Sequence, residues 1–213
     1  MRNILDEIKA KAKQLQKTIV LCEGEDKRVV KAAADATKEG VAKIVLLGNE
    51  GEIKAANPDV DLTGVTIVDP LTSDKLPAYN AKLCEIRASK GMTPEQAAKL
   101  LQDGTYFGAM MLKMGDVDGL VSGACHSTAN TLRPGLQIIK TAKGVSSVSS
   151  FNLMICPEQG NQYCPDGMVF FADCGLNPTY TSEGLAECAI ATANSAKAIT
   201  GIDPKVAMLS FST

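Results

Sequence analysis

The chain has 213 residues, 45% of them hydrophobic and 22% charged, with a net charge of −2. That length buries a sizeable core and is comfortable for two domains. The balance is that of a soluble globular protein, and without a basic excess it excludes nucleic-acid binding by charge alone.

The chain opens with MRNILDEIKAKAKQLQK, where Ile4, Leu5, Ile8, Ala12 and Leu15 recur at helical spacing with charges between them. This predicts an amphipathic helix and lacks the unbroken apolar core of a signal peptide. No run approaches the ~20 apolar residues that a membrane span needs. The expectation is a cytoplasmic protein with no membrane partner. Seven cysteines, odd in number, scattered and without a CxxC, read as reduced thiols. Cys156 and Cys164, each followed by Pro, hint at a metal loop, but no paired spacing or nearby histidine supports one.

Lys17–Gly24 is a short apolar run ended by Gly. The next segment places Val29, Val30, Ala33 and Ala36 on one helical face and stops at Gly40. Val41–Asn49 and Val65–Pro70 predict two further strands. The runs are apolar almost continuously, which suits a parallel sheet covered on both faces, and their alternation with helices points to α/β architecture. Ser73–Gly91 predicts a helix with a break near Pro77. Another begins at Thr93, with Pro94 at its first position and Gln96 placed for a capping box. YFGAMMLKMG predicts a helix and Asp118–Gly123 a strand. VSSVSSFNLMIC and GMVFFADCG predict two strands around a long turn, SEGLAECAIATANSAKAITG a helix, and KVAMLSFST a last strand. The domain boundary is expected near Gly144, giving a first domain over 1–144 and a second over 145–213. A chain that stops on an exposed apolar strand reads as incomplete.

The P-loop, G-x-G-x-x-G, G-x-S-x-G and H-E-x-x-H patterns are all absent. What remains is the strand–loop–helix over Asp118–Lys140. Ser122–Lys140 reads SGACHSTANTLRPGLQIIK and contains the chain's single histidine, His126. Such a loop turns N–H groups and hydroxyls outward at a helix start, which suits phosphate or another anion. Ser127 and Thr128 equally serve as N-caps. A lone loop histidine equally packs or faces solvent. Pro134 falls within the helical pattern and predicts a kink or a late start. Only four arginines stand against eighteen lysines. Arg87 and Arg133, one late in a helix and one beside the hydroxyl loop, are the candidates for forked phosphate contacts. Asp116, Asp118 and Asp173 read as caps and turn formers, too scattered for the metal cluster of a related dehydrogenase.

These residues resemble the phosphate acetyl/butyryltransferase family, and its phosphate acetyltransferases most closely. SGACHSTANTLRPGLQIIKT is close to the family signature, and IVLCEGEDKRVVKAA, EIRASKGMTPEQA, MVFFADCGLNP and KVAMLSFST look like its other landmarks, in order. The resemblance covers essentially the whole chain. It implies transfer of an acetyl group between coenzyme A and inorganic phosphate, with acetyl-CoA, acetyl phosphate and phosphate as partners and no tightly bound cofactor or metal. It implies two three-layer α/β domains with a cleft between them, as in isocitrate and isopropylmalate dehydrogenases, and a homodimer. It assigns Arg87 and Arg133 to coenzyme A and Ser127 and Thr131 to the phosphate end, with His126 and Thr128 as weaker candidates.

The family's catalytic Asp and Ser–Arg pair lie near its C-terminus. This chain has no Ser–Arg dipeptide, so the catalytic residues are expected beyond Thr213, and the fold is expected to lack its C-terminal completion. The chain alone is then expected to be inactive and poorly stable. Two alternatives stay open. One is a phosphate butyryltransferase. The other is a non-catalytic acetyl-CoA-sensing module, against which the start at Met1 counts.

Overall fold

A computed structural model describes residues 3–156, 164 and 167–209. The chain divides into two units, one over Lys9–Lys140 and one comprising the described residues of 1–8 and 141–213.

In the first unit, the strands β1 (Thr18–Leu21), β2 (Lys43–Leu47), β3 (Thr66–Val68) and β4 (Gly119–Val121) form one parallel sheet in the order β3-β2-β1-β4. Side chains alternate across the sheet, and both faces are covered. Leu21, Ile44 and Leu46 pack with Val30 and Ala33 of α2 (Lys27–Glu39) and Ile53 of α3 (Glu50–Ala56). Val20, Cys22, Val45 and Leu47 face the other way, onto α4 (Leu76–Ile86), α5 (Pro94–Leu100) and α6 (Gly104–Met114) through Tyr79, Leu83, Ala97, Phe107 and Met110. This three-layer burial is why the strand sequences run apolar without a polar alternate.

Local chemistry sets the helix ends. Asp26, Asn49 and Asp103 accept N–H bonds as N-caps of α2, α3 and α6. Thr93 and Gln96 complete the expected capping box of α5. Gly40 and Gly115 close α2 and α6 in the left-handed conformation. Pro77 does not break a helix. It sits in the first turn of α4, where a missing N–H costs nothing. The helix α3 was not among the elements expected from sequence.

In the second unit, β5 (Phe151–Ile155) and β6 (Met168–Ala172) pair antiparallel, and Phe151 meets Phe170 at 5.5 Å between ring centroids. The long helix α8 (Ser182–Thr200) follows, capped by Thr181 and ended by Gly201. Asp173 organises the turn after β6. It accepts from the N–H and hydroxyl of Ser150, the N–H groups of Gly175, Leu176 and Asn177, the Asn177 amide, and the Tyr180 hydroxyl at 2.6 Å.

The last strand expected from sequence does not form over Lys205–Leu209. These residues have no regular structure and are exposed, Leu209 at 85%. A strand exists only against a partner, and no described strand lies beside them. The remainder of that stretch, 210–213, lies outside the described residues, as does most of the turn between β5 and β6.

Candidate functional site

The order β3-β2-β1-β4 places a switch point between β1 and β4, because the chain builds outward from β1 to β3 and then returns to the other side of β1. In open parallel sheets, ligands bind at the carboxyl ends of the strands that flank such a point. Here those ends lead into Cys22–Asp26 and Ser122–Ser127. Two glycines let the backbones close up. A Cβ on Gly24 would stand 2.3 Å from the Leu47 carbonyl oxygen, and one on Gly108 of α6 would stand 2.7 Å from Cys22 Sγ.

Between the two strand ends lies Glu23, 2% exposed. Its Oε2 accepts the N–H groups of Gly123 and Ala124, both at 2.8 Å. Its Oε1 accepts those of Cys125 at 2.9 Å and His126 at 3.2 Å. His126 Nδ1 lies 2.7 Å from the same Oε1. A carboxylate can only accept, so Nδ1 carries the proton. Burial by itself would raise the Glu23 carboxyl. The N–H of Cys125, the imidazole of His126 and the N–H of Ala124 outweigh it and hold the pKa at about 2. The same hydrogen bond raises His126 above its ordinary value, against the opposing effect of burial and with the charges of Asp103, Glu23 and Glu25 adding to it.

This corrects one expectation. The loop N–H groups of Gly123–His126 do not point outward toward a bound anion. They are turned inward onto the chain's own carboxylate. Glu23 was missed from sequence. The signal for it was an acidic residue directly after a buried apolar strand.

Cys125 is exposed, with Sγ 3.4 Å from both Glu23 Oε1 and Glu25 Oε1 and 3.8 Å from His126 Nδ1. Burial of its sulfur and the two carboxylates push the thiol up to about 12. Arg28 holds Asp26 through both carboxylate oxygens and donates to the Ala124 carbonyl at 2.7 Å.

The helix α7 (Thr128–Pro134) starts where the loop ends. Ser127 is its N-cap and accepts from Asn130 N–H at 3.3 Å, and the Thr131 hydroxyl donates to the Ser127 carbonyl at 3.1 Å. Thr128 takes the first helical position and is exposed. Pro134 stays inside the helix, buried, and the chain continues as a π-turn over Gly135–Ile139, closed by Lys140 N–H onto the Gly135 carbonyl. The π-turn presents Gln137, which accepts from the Tyr106 hydroxyl at 3.0 Å.

Arg133, in the last turn of α7, lines a cleft of about 580 Å³ with Asn130, Tyr106 and Asp103 of α6, and Gln96 and Lys99 of α5. Arg87 caps α4 and is half-buried. Its Nε is fully enclosed without a hydrogen-bond partner among the described residues, and Met92, another wall of the cleft, donates its N–H to the Arg87 carbonyl. Burial raises the Tyr106 hydroxyl while the charges of Arg133 and Arg87 both lower it, so the two guanidiniums bear on one phenol. Arg87 itself is not among the cleft-lining residues.

No disulfide joins any of the seven cysteines, and Cys156 and Cys164 hold their sulfurs 2.8 Å apart. No helix among the described residues is long and apolar enough to cross a membrane.

Comparison with known proteins adds a consistent set of likenesses. Residues 3–213 match a family model described as "Phosphate acetyl/butaryl transferase". The chain is 49% identical over 211 residues to a phosphate acetyltransferase of Acetivibrio thermocellus, covering 99% of this chain and 63% of that protein. It is 49% identical over 205 residues to a phosphate acetyltransferase of Salmonella typhimurium, covering 27% of that protein. Among solved structures it resembles the EutD phosphotransacetylase from Staphylococcus aureus, with a TM-score of 0.87, 40% identity and 61% of that chain covered. A phosphotransacetylase from Streptococcus pyogenes gives 0.88, 40% and 63%. The chain therefore spans under two-thirds of the length of these relatives.

Proposed function

The chain belongs to the phosphate acetyl/butaryl transferase family, and on that premise we propose that it serves transfer of an acetyl group between coenzyme A and inorganic phosphate, acetyl-CoA + phosphate ⇌ acetyl phosphate + CoA. Coenzyme A is both donor and product carrier, and no metal or prosthetic group enters the chemistry. The parent fold we propose is the two-domain α/β architecture of the isocitrate and isopropylmalate dehydrogenases, assembled as a cytoplasmic homodimer, with the substrates held in the cleft between domains.

One observation carries this reading. In a chain with four arginines, two of them, Arg87 and Arg133, bear on the same Tyr106 hydroxyl beside a cleft of about 580 Å³ at the switch-point end of the sheet. Coenzyme A carries a 3′-phosphate and a pyrophosphate, and a guanidinium fork is matched to such oxygens. Lys99 joins Arg133 as a second cation in the cleft wall. Arg87 brings a buried Nε–H that has no acceptor among the described residues, and a phosphate oxygen would satisfy it only if the side chain turned toward the cleft.

Ser127 and Thr131 stand at the start of α7, where the Ser127 hydroxyl accepts a local bond and keeps its proton to donate to the phosphate end of acetyl phosphate, and Thr131 can donate there by releasing the Ser127 carbonyl. In the reaction the thiol of coenzyme A, pKa ~8.5, attacks the acetyl carbonyl. A base must take its proton, and donors must meet the oxyanion.

Calorimetric titration of the chain with coenzyme A tests the binding part. Arg133→Gln and Arg87→Gln each remove a charged hydrogen bond to phosphate, ~1.5–3 kcal/mol, and are expected to weaken binding by about 10- to 100-fold. Affinity unchanged in both variants would overturn the assignment. Comparison of acetyl, propionyl and butyryl phosphate as competitors sets the acyl preference.

A further inference from the structure

We propose that Glu23, Cys125 and His126, with Glu25 as a fourth ligand, form a binding site for a thiophilic divalent cation of the zinc class. The cation would clip the end of β1 to the end of β4 across the switch point. The donor set is one thiolate, one imidazole and two carboxylates, a set that suits zinc rather than magnesium or calcium.

The geometry is nearly in place. A tetrahedral zinc, with bonds of ~2.3 Å to sulfur and ~2.0–2.2 Å to nitrogen or oxygen, separates sulfur from its neighbours by roughly 3.6 Å. Cys125 Sγ lies 3.8 Å from His126 Nδ1 and 3.4 Å from each of Glu23 Oε1 and Glu25 Oε1. The ligand atoms of Glu23, Cys125 and His126 lie within 4.8 Å of one another, the Nδ1–Oε1 separation of 2.7 Å must open, and Glu25 must turn in from Cys125 to complete the set. Binding releases the thiol proton to solvent and requires Nδ1 to give up its proton, to solvent from an imidazolium or to Nε2 of a neutral ring.

The surroundings present negative charge to a cation, and the same carboxylates hold the thiol and imidazole protons that it must displace. Glu23, Glu25 and Asp103 all bear on the imidazole, while the opposing guanidinium of Arg28 is engaged by Asp26 and the Ala124 carbonyl. The four loop N–H groups fix Glu23 as a supporting shell fixes a metal ligand. Cys125 and Glu25 are exposed, which gives a path of entry. Among the described residues no second group of three such side chains lies close enough to share one ion.

The proposal stands apart from the acyl-transfer reading, because the cation is read without turnover. Co²⁺ alone serves as the first probe, added to the reduced chain. One equivalent is expected to give a thiolate-to-cobalt charge-transfer band that is lost in Cys125→Ser and kept in Cys156→Ser. A band that survives Cys125→Ser overturns the proposal. His126 is the chain's only histidine, so its ring protons are unambiguous by NMR. With one equivalent of Zn²⁺ the ring should stop titrating, and a ring that titrates as before overturns the proposal even if the cysteine variant misfolds. Glu25→Gln alters an exposed side chain and is expected to weaken Zn²⁺ by about 10-fold.

Discussion

Replacing Glu23 by Gln tests the inner arrangement of the site. The carboxyl titrates at about 2 in the fold against an ordinary 4.5. A carboxyl held below its unfolded value stabilises the fold above that value and gives the stabilisation up as acid protonates it. The side chain is 2% exposed, so the shift is not discounted for solvent screening. At 1.36 kcal/mol per pH unit, the contribution is about 3 kcal/mol at pH 6 and roughly half of that at pH 3, and it vanishes below about pH 2. The amide of Gln keeps one acceptor oxygen but turns an NH₂ group toward two of the four loop N–H donors. Glu23→Gln is therefore expected to lose about 3 kcal/mol at pH 6 and roughly half of that at pH 3. Urea unfolding followed by circular dichroism at the two pH values measures it. A gap under about 1 kcal/mol at pH 6, or one that does not narrow in acid, refutes the reasoning. His126 supplies an internal check of opposite sign. Its pKa is raised, so its contribution is whole below the ordinary value of 6.5 and is lost as pH rises through the folded value. That alkaline loss should be present in the parent chain and absent from Glu23→Gln.

Gly24→Ala puts a Cβ 2.3 Å from the Leu47 carbonyl oxygen and 2.8 Å from Ile53 Cδ1. The backbone must shift, at about 1–3 kcal/mol, and an unchanged melting temperature would refute the close approach. Asp173→Asn removes the charge on which the Ser150, Asn177 and Tyr180 donors converge, a carboxyl that those donors hold well below its ordinary range against the effect of burial. Amide exchange of Gly175–Asn177 should quicken by at least 10-fold in that variant, and unchanged protection would show that the turn does not depend on the charge. Arg133→Gln alters an exposed side chain and should leave unfolding free energy within about 0.5 kcal/mol of the parent, so a large loss would recast Arg133 as a structural residue.

What the sequence made legible is what near neighbours decide. The first three strands, α2 and the capping box at Thr93 follow from apolar runs, caps and turn residues a few positions apart. The helix α3 escaped because seven residues with a glycine among them carry little periodicity, and its main signal is the Asn49 cap onto Glu52 N–H. Lys205–Leu209 was misread because an apolar run is necessary for a strand but a partner completes it. Glu23 was illegible for a different reason. The four residues that bond its carboxylate, Gly123, Ala124, Cys125 and His126, lie 100 to 103 residues away, and local patterning cannot report a contact of that span. Its position also changes how the loop recognises a ligand. The turn after β4 is built to receive an anion and already holds one, the chain's own carboxylate. An incoming phosphate could take those N–H groups only by displacing Glu23, at a cost on the order of 3 kcal/mol. On the function proposed above, recognition of a phosphorylated ligand would then fall to side chains outside those N–H groups, with the guanidiniums of Arg87 and Arg133 as the proposed discriminating groups.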